Sequence, residues 1–103
     1  IFNVLTCENG DFDNPQTECM TEKLLERSQR GAVATISAAA LSLQAVAEQF
    51  ADGFYTELGS GAPRLRLGDL MQAGFLNLWG LSPNSEELLF YGLFGDPALV
   101  LKP

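Results

Sequence analysis

Short apolar runs that alternate with helical patterns constrain the fold of this chain more than any other feature. Residues 1–6 (IFNVLT) and 32–37 (AVATIS) are rich in apolar and β-branched side chains, which is typical of buried strands. Amphipathic helical patterns follow over residues 43–58 and 67–79. This alternation predicts an α/β fold, built on a mostly parallel sheet with helices on both faces.

Two further helices are indicated by capping residues. Asn14 or Thr17 is predicted to cap a helix that runs to about Arg30, where a glycine follows. Asn84, with Glu87 three residues later, resembles a capping box and predicts a fourth helix. That helix is expected to end at the glycine of the Gly-Asp-Pro segment near the end of the chain.

A last strand is expected at residues 98–101. Asp96 and Pro97 precede it and favour a rigid turn, so a structural role is predicted for Asp96. Three strands are few for an open α/β sheet, so the sheet is expected to continue in a segment before Ile1. Small folds leave much apolar surface uncovered, and here that surface either meets the missing segment, which is favoured, or supports self-association.

Composition argues against several classes of function. Thirteen acidic and six basic residues give a net charge of −7, and no cluster of Lys and Arg offers a nucleic-acid site. No stretch approaches the roughly 20 apolar residues of a membrane span. The chain has no histidine, and Cys7 with Cys19 makes a poor zinc site, so neither a metal nor another cofactor is expected. A disulfide between these cysteines is disfavoured, because a strand end and a helix face rarely offer the required Cα separation.

Cys7 is the residue most suited to chemistry. It follows the first strand directly, and ligands of open α/β folds bind at the carboxyl ends of the strands. Gly10 in the next loop allows backbone N–H groups to approach a substrate, and a helix N-terminus beyond it favours a thiolate. From these residues alone, a nucleophile and a small buried structural cysteine both remain open.

Three segments together resemble the gingipain-type cysteine peptidases of clan CD, a family with a caspase-like fold. They are CENGDF from Cys7, GAVA from Gly31 and FGDPAL from Phe94, in matching order and spacing. The resemblance implies a partial caspase-like three-layer sandwich, in which residues 1–103 are the C-terminal part of a single peptidase domain. It further implies a fragment of an endopeptidase that hydrolyses peptide bonds of a polypeptide substrate.

The resemblance also implies roles for individual positions. Cys7 falls on the nucleophile, its own N–H group is one donor of the oxyanion hole, and Glu8 and Gly10 belong to the same loop. The implied substrate-binding residues are Ser37, Ala38, Ala39 and Ala40. Residues 38–41 are small or aliphatic where gingipains place polar and aromatic groups. The resemblance therefore does not imply a preference for Arg or Lys at P1 in this chain.

The catalytic base has to come from outside these residues. In the relatives the histidine precedes the cysteine by one strand, which places it before Ile1 and predicts that the chain alone is inactive. Two alternatives remain open: a non-catalytic caspase-like interaction module, and the caspase-related domains that bacteria fuse to helical repeats. The relatives are mostly exported bacterial enzymes, which implies an extracellular or cell-surface location.

Overall fold

The computed structural model describes residues 2–4 and 8–101, and these contain three strands, three α-helices and one 3₁₀ helix. The strands are β1 (Phe2–Val4), β2 (Thr35–Ala38) and β3 (Tyr91–Phe94). The α-helices are α1 (Met20–Glu26), α2 (Gln44–Leu58) and α3 (Leu67–Leu81). The 3₁₀ helix, Glu86–Leu89, lies directly before β3.

The strands form a single sheet in the order β1-β2-β3. β1 is parallel to β2, with Asn3 opposite Ile36, and β2 is antiparallel to β3, with Ile36 opposite Leu93. The described sheet therefore has one parallel and one antiparallel pair. The α/β class is as predicted, whereas a larger and mostly parallel sheet remains a prediction.

The end of the chain differs from its sequence-based prediction. The Ser85 hydroxyl accepts from the Glu87 N–H at 3.2 Å and caps only a 3₁₀ helix, so the predicted fourth α-helix was wrong. The last strand is β3, and Val100 makes only an isolated bridge with Arg66. Short apolar runs fit helix and strand equally by periodicity, and here the backbone of β2 offers partners that the local pattern does not reveal.

Helix α1 is shorter than the predicted helix. The Asn14 carboxamide oxygen accepts from the Gln16 N–H at 2.9 Å in a local turn, and the cap falls on Cys19 instead. The Cys19 N–H donates to the Glu22 carboxylate at 2.7 Å, which satisfies one donor at the helix start. The helix ends at Glu26 rather than Arg30, as the chain turns through a positive φ of 66° at Gln29.

An antiparallel pairing of helices, α2 with α3, forms the main core with one face of β2. Phe50 is fully buried there, and its ring stacks on that of Tyr91 with centroids 4.7 Å apart. Gly74 of α3 allows the close approach, because a Cβ atom on it would lie 2.6 Å from the Phe50 ring. Ile36 of β2 is fully buried in the same cluster.

The alternate side chains of β2 are polar and equally buried. Ser37 shares a hydrogen bond of 2.7 Å with the Thr21 hydroxyl of α1, and both residues are fully buried. The Thr35 hydroxyl is buried and has no hydrogen-bond partner among the described residues. Ser37 thereby ties α1 to β2 at the strand end nearest the predicted site. Within residues 2–4 and 8–101, no helix has both the length and the hydrophobicity that crossing a bilayer requires.

Candidate functional site

The carboxyl ends of β1 and β2 lie side by side, because the two strands are parallel neighbours. Cys7 itself lies outside the described residues. The loop that follows it is held along the end of β2 by two backbone hydrogen bonds. Glu8 N–H donates to the Ala40 carbonyl at 3.2 Å, and Gly10 N–H donates to the Ala38 carbonyl at 3.0 Å. The structure thus brings together the two sets of residues that the sequence assigned to the loop and to substrate binding.

Glu8 has an unusual backbone conformation. Its φ is 57°, in the left-handed region that side chains other than those of Gly, Asn and Asp rarely adopt. Its carbonyl accepts from the Asp11 N–H at 3.3 Å, so the chain turns sharply directly after position 7. Strained backbone of this kind costs about 1–3 kcal/mol and is concentrated at functional sites, which favours a functional interpretation of this loop.

Gly10 is buried, and the space beside its Cα atom is occupied by residues of β2 and β3 rather than open to a ligand. A Cβ atom there would lie 2.5 Å from the Ser37 hydroxyl oxygen and 3.3 Å from the ring of Phe94. The glycine therefore allows the loop to pack directly on β2. The neighbouring Phe12 packs edge-on against Phe94, with ring centroids 5.5 Å apart.

The four predicted substrate-binding residues divide into two pairs. Ser37 and Ala38 are fully buried, so neither presents its side chain to solvent. Ala39 and Ala40, which directly follow β2, are half-buried. The Ala39 N–H donates to the Phe90 carbonyl at 2.9 Å, which extends the pairing with the β3 side by one residue.

A buried carboxylate holds the turn that follows Ala40, and sequence analysis missed this role. Glu87 is only 6% exposed, and its two oxygens accept from Ser42 Oγ at 2.6 Å and Leu43 N–H at 2.8 Å. Ser42 Oγ also shares a hydrogen bond of 2.7 Å with the Tyr91 hydroxyl. Leu41 and Leu43 flank this network and are 69% and 70% exposed. An apolar turn of this kind carries no recognisable motif, and the only sequence signal was the excess of small and aliphatic residues after β2.

The Cys7 loop also carries a cluster of acidic side chains. The Asp11 pKa is raised above its ordinary value, first because its carboxyl group hydrogen-bonds the Asp13 carboxyl, then by partial desolvation and by the negative charges of Asp13 and Glu8. Across the described residues, no group of three or more His, Cys, Asp or Glu side chains is arranged to hold a metal ion.

Other features of the surface do not coincide with the site. Cys19 has a free, half-buried thiol at the start of α1. Trp79 is 58% exposed on α3, whereas Tyr91 is buried. An open depression beside α1 is lined by none of the predicted site residues; its lining is Asn14, Pro15, Gln16, Thr17, Glu18, Glu22 and Lys23.

A comparison with protein families matches the model of peptidase family C25 to residues 1–102. The chain belongs to peptidase family C25. This confirms the resemblance to the gingipain-type cysteine peptidases and shows a peptidase relationship for nearly the whole sequence. The comparison with curated proteins finds no match.

Solved structures of C25 peptidases show the same fold. The crystal structure of the Arg-specific cysteine proteinase gingipain R superposes with a TM-score of 0.88 at 23% identity. A complex of the pro- and mature domains of RgpB from Porphyromonas gingivalis gives 0.86 at 22% identity. The matches cover 98% and 97% of this chain but 26% of each of those chains. This C25 chain therefore has a caspase-like fold and spans about a quarter of the length of these relatives.

Proposed function

We propose that this chain is the C-terminal part of a cysteine endopeptidase domain and carries its nucleophile, Cys7. The family match carries the proposal, because it runs from residue 1 through position 7 to residue 102. The parallel pairing of β1 and β2 supports it, since residues at the carboxyl ends of such strands meet in one crevice. The proposal includes the architecture of the whole domain, which is a larger, mostly parallel sheet with helices on both faces.

In the proposed reaction the Cys7 thiolate attacks the carbonyl carbon of a peptide bond. The carbonyl oxygen becomes an oxyanion that the Cys7 N–H stabilises, and collapse of the intermediate expels the amine. Water then hydrolyses the thioester and releases the carboxylic acid. The sequence has no histidine, so the base that accepts the thiol proton and returns it to the amine is a histidine from residues outside this sequence.

The loop and the strand end have distinct proposed roles. Glu8 and Gly10 fix the loop behind the nucleophile through their hydrogen bonds to Ala40 and Ala38. Ser37 and Ala38 support the site from the interior, and Ala39 and Ala40 are the members of that segment with exposed surface for the substrate. An extracellular or cell-surface location for the whole enzyme follows from the family resemblance.

Cysteine labelling tests the proposal in the longer polypeptide that carries the histidine. Iodoacetamide labelling, followed by mass spectrometry, is expected to modify Cys7 faster than a thiol of the denatured protein. The free thiol of Cys19 provides an internal comparison. Cys7→Ser is expected to abolish cleavage of a casein substrate, whereas Cys19→Ser retains it.

The opposite result is equally informative. If Cys7 reacts no faster than a denatured-state thiol and the polypeptide does not cleave casein, the catalytic role is excluded. The non-catalytic interaction module would then be the better description, which the lack of histidine also fits.

A further inference from the structure

Glu87 is a buried acid whose carboxylate is hydrogen-bonded to the turn after β2. Its oxygens hold Ser42 Oγ at 2.6 Å and Leu43 N–H at 2.8 Å, and the residue is 6% exposed. Hydrogen bonds to a buried ionised group are among the stronger ones, and removal of one partner leaves the other unsatisfied. The network therefore fixes the position of residues 41–43.

The same turn begins beside the nucleophile loop. The Ala40 carbonyl accepts from Glu8 N–H at 3.2 Å, and Glu8 is the residue directly after Cys7. Leu41 directly follows Ala40 in the chain. The turn that Glu87 holds is thus continuous with the contact between the Cys7 loop and the end of β2.

The turn presents apolar side chains only. Leu41 and Leu43 are 69% and 70% exposed. The hydroxyl of Ser42, which lies between them, is hydrogen-bonded to Glu87 and Tyr91. Glu87 is unavailable to a basic substrate side chain, because it is buried and both of its oxygens are occupied. Exposed acidic side chains belong to the neighbouring elements, at Glu8 and Asp13 in the loop after Cys7 and at Glu86 in the 3₁₀ helix.

A simpler role for Glu87 would be to stabilise α2. The first turn of α2 has no acidic residue, and the Glu87 carboxylate at its N-cap, Leu43, interacts favourably with the helix dipole. This role alone explains the burial of Glu87 but not two exposed leucines beside the nucleophile loop. Isolated exposed leucines are common, but these two lie in a turn that Glu87 holds through Leu43 N–H and that directly follows the segment in contact with the Cys7 loop.

We infer that Glu87 is a positioning residue, which holds Leu41 and Leu43 as an apolar subsite for a hydrophobic side chain of the peptide substrate. This rests on the proposed function, because it needs Cys7 to be the nucleophile. Glu87 does not touch the substrate. It acts by fixing the turn that does.

The test compares fluorogenic peptides that carry Leu, Ala or Arg at P1, cleaved by the histidine-containing polypeptide. The wild type is expected to favour Leu over Arg at least tenfold in kcat/KM. Leu41→Ser and Leu43→Ser are each expected to raise KM for the Leu peptide several-fold with little change in kcat. Leu76→Ser, an exposed leucine of α3, is the matched control and should change neither constant.

Variants of Glu87 separate positioning from stability. Glu87→Ala is expected to reduce the Leu-to-Arg preference several-fold, measured per active site by titration with an irreversible inhibitor. Glu87→Gln should restore most of it, because an amide oxygen still accepts from Leu43 N–H and the amide group donates to Ser42 Oγ. Glu86→Ala removes an exposed charge from the same 3₁₀ helix and should have no effect.

Ser42→Ala covers the case in which Glu87→Ala does not fold, and it should shift the preference in the same direction. The inference is overturned if the wild type prefers Arg, or if the leucine variants leave KM unchanged. It is also overturned if the Glu87 and Ser42 variants alter only thermal stability. An enzyme whose Cys7 labels rapidly but which cleaves after Arg contradicts this inference alone, whereas an unreactive Cys7 without any cleavage contradicts the proposed function as well.

Discussion

Gly10 lies against Ser37 so closely that a Cβ atom on Gly10 would stand 2.5 Å from the Ser37 hydroxyl oxygen. Ser37 has little freedom to move, because its hydroxyl is hydrogen-bonded to that of Thr21 at 2.7 Å and both residues are fully buried. One contact therefore joins the loop after Cys7, β2 and α1. Changes at Gly10 are expected to reach all three elements.

Gly10→Ala is expected to destabilise the protein by about 1–3 kcal/mol, because the added methyl group overpacks a rigid contact. Urea unfolding followed by circular dichroism measures the change in the free energy of unfolding. The double variant Gly10→Ala/Ser37→Ala should lose less stability than the sum of the single variants, since removal of the hydroxyl makes room for the methyl group. Strict additivity would show that the two side chains do not compete for the same space.

Two glycines of α3, Gly74 and Gly80, test the packing of the helices. Gly74→Ala would place a methyl group 2.6 Å from the buried ring of Phe50, so a loss of about 1–3 kcal/mol is expected. A Cβ atom on Gly80 would meet no described atom within 4 Å beyond its own turn of helix, and Gly80→Ala should stabilise the helix by up to about 1 kcal/mol. Thermal unfolding of both variants measures these opposite effects, and a loss of stability in both would contradict the close approach of α2 and α3 at Gly74.

The acidic loop predicts a pH effect with a defined sign. The Asp11 pKa is raised in the folded protein, so the stability that its protonated form contributes is fully present below the ordinary pKa of aspartate. That contribution is lost as the pH rises through the raised folded-state pKa. Asp13→Ala removes the hydrogen-bond partner and the nearest charge, and should bring the Asp11 pKa back towards its ordinary value.

Carboxyl ¹³C NMR titration measures the Asp11 pKa directly. Asp52→Ala removes the same charge from an exposed position on α2 and serves as the control, which should leave the Asp11 pKa as it is in the wild type. An Asp11 pKa that stays raised after Asp13→Ala would show that the two carboxyl groups do not interact.

Elements with strong local patterns were predictable from the sequence. The stripe of α2 that includes Phe50 and Phe54 is buried as its spacing predicts, and β2 overlaps the predicted second strand. β3 was not predictable, because Tyr91–Phe94 becomes a strand only through pairing with β2, more than fifty residues earlier. Tertiary pairing of this kind overrides a weak local preference.

One part of the candidate site was likewise predictable from the sequence, and another part was not. The nearness of Glu8 and Gly10 to the end of β2 follows from a parallel pair of strands, which the sequence predicts. The role of Glu87 depends on partners 44 and 45 positions away, and its spacing from Asn84 indicated a helix cap instead. The role of Cys7 rests on the family and stays a proposal.

The contact between Leu43 and Glu87 closes the base of the whole helical hairpin, since α2 and α3 both lie between these two positions. Residues 59–64 form the exposed bend that connects α2 to α3, and they lie far along the chain from both Leu43 and Glu87. Lengthening a flexible surface connection adds little entropy cost, about 0.6 kcal/mol for each doubling. The bend is therefore a place where this C25 chain can accept inserted sequence, or an affinity tag, while the hydrogen-bonded ends of the hairpin keep the turn after β2 in place.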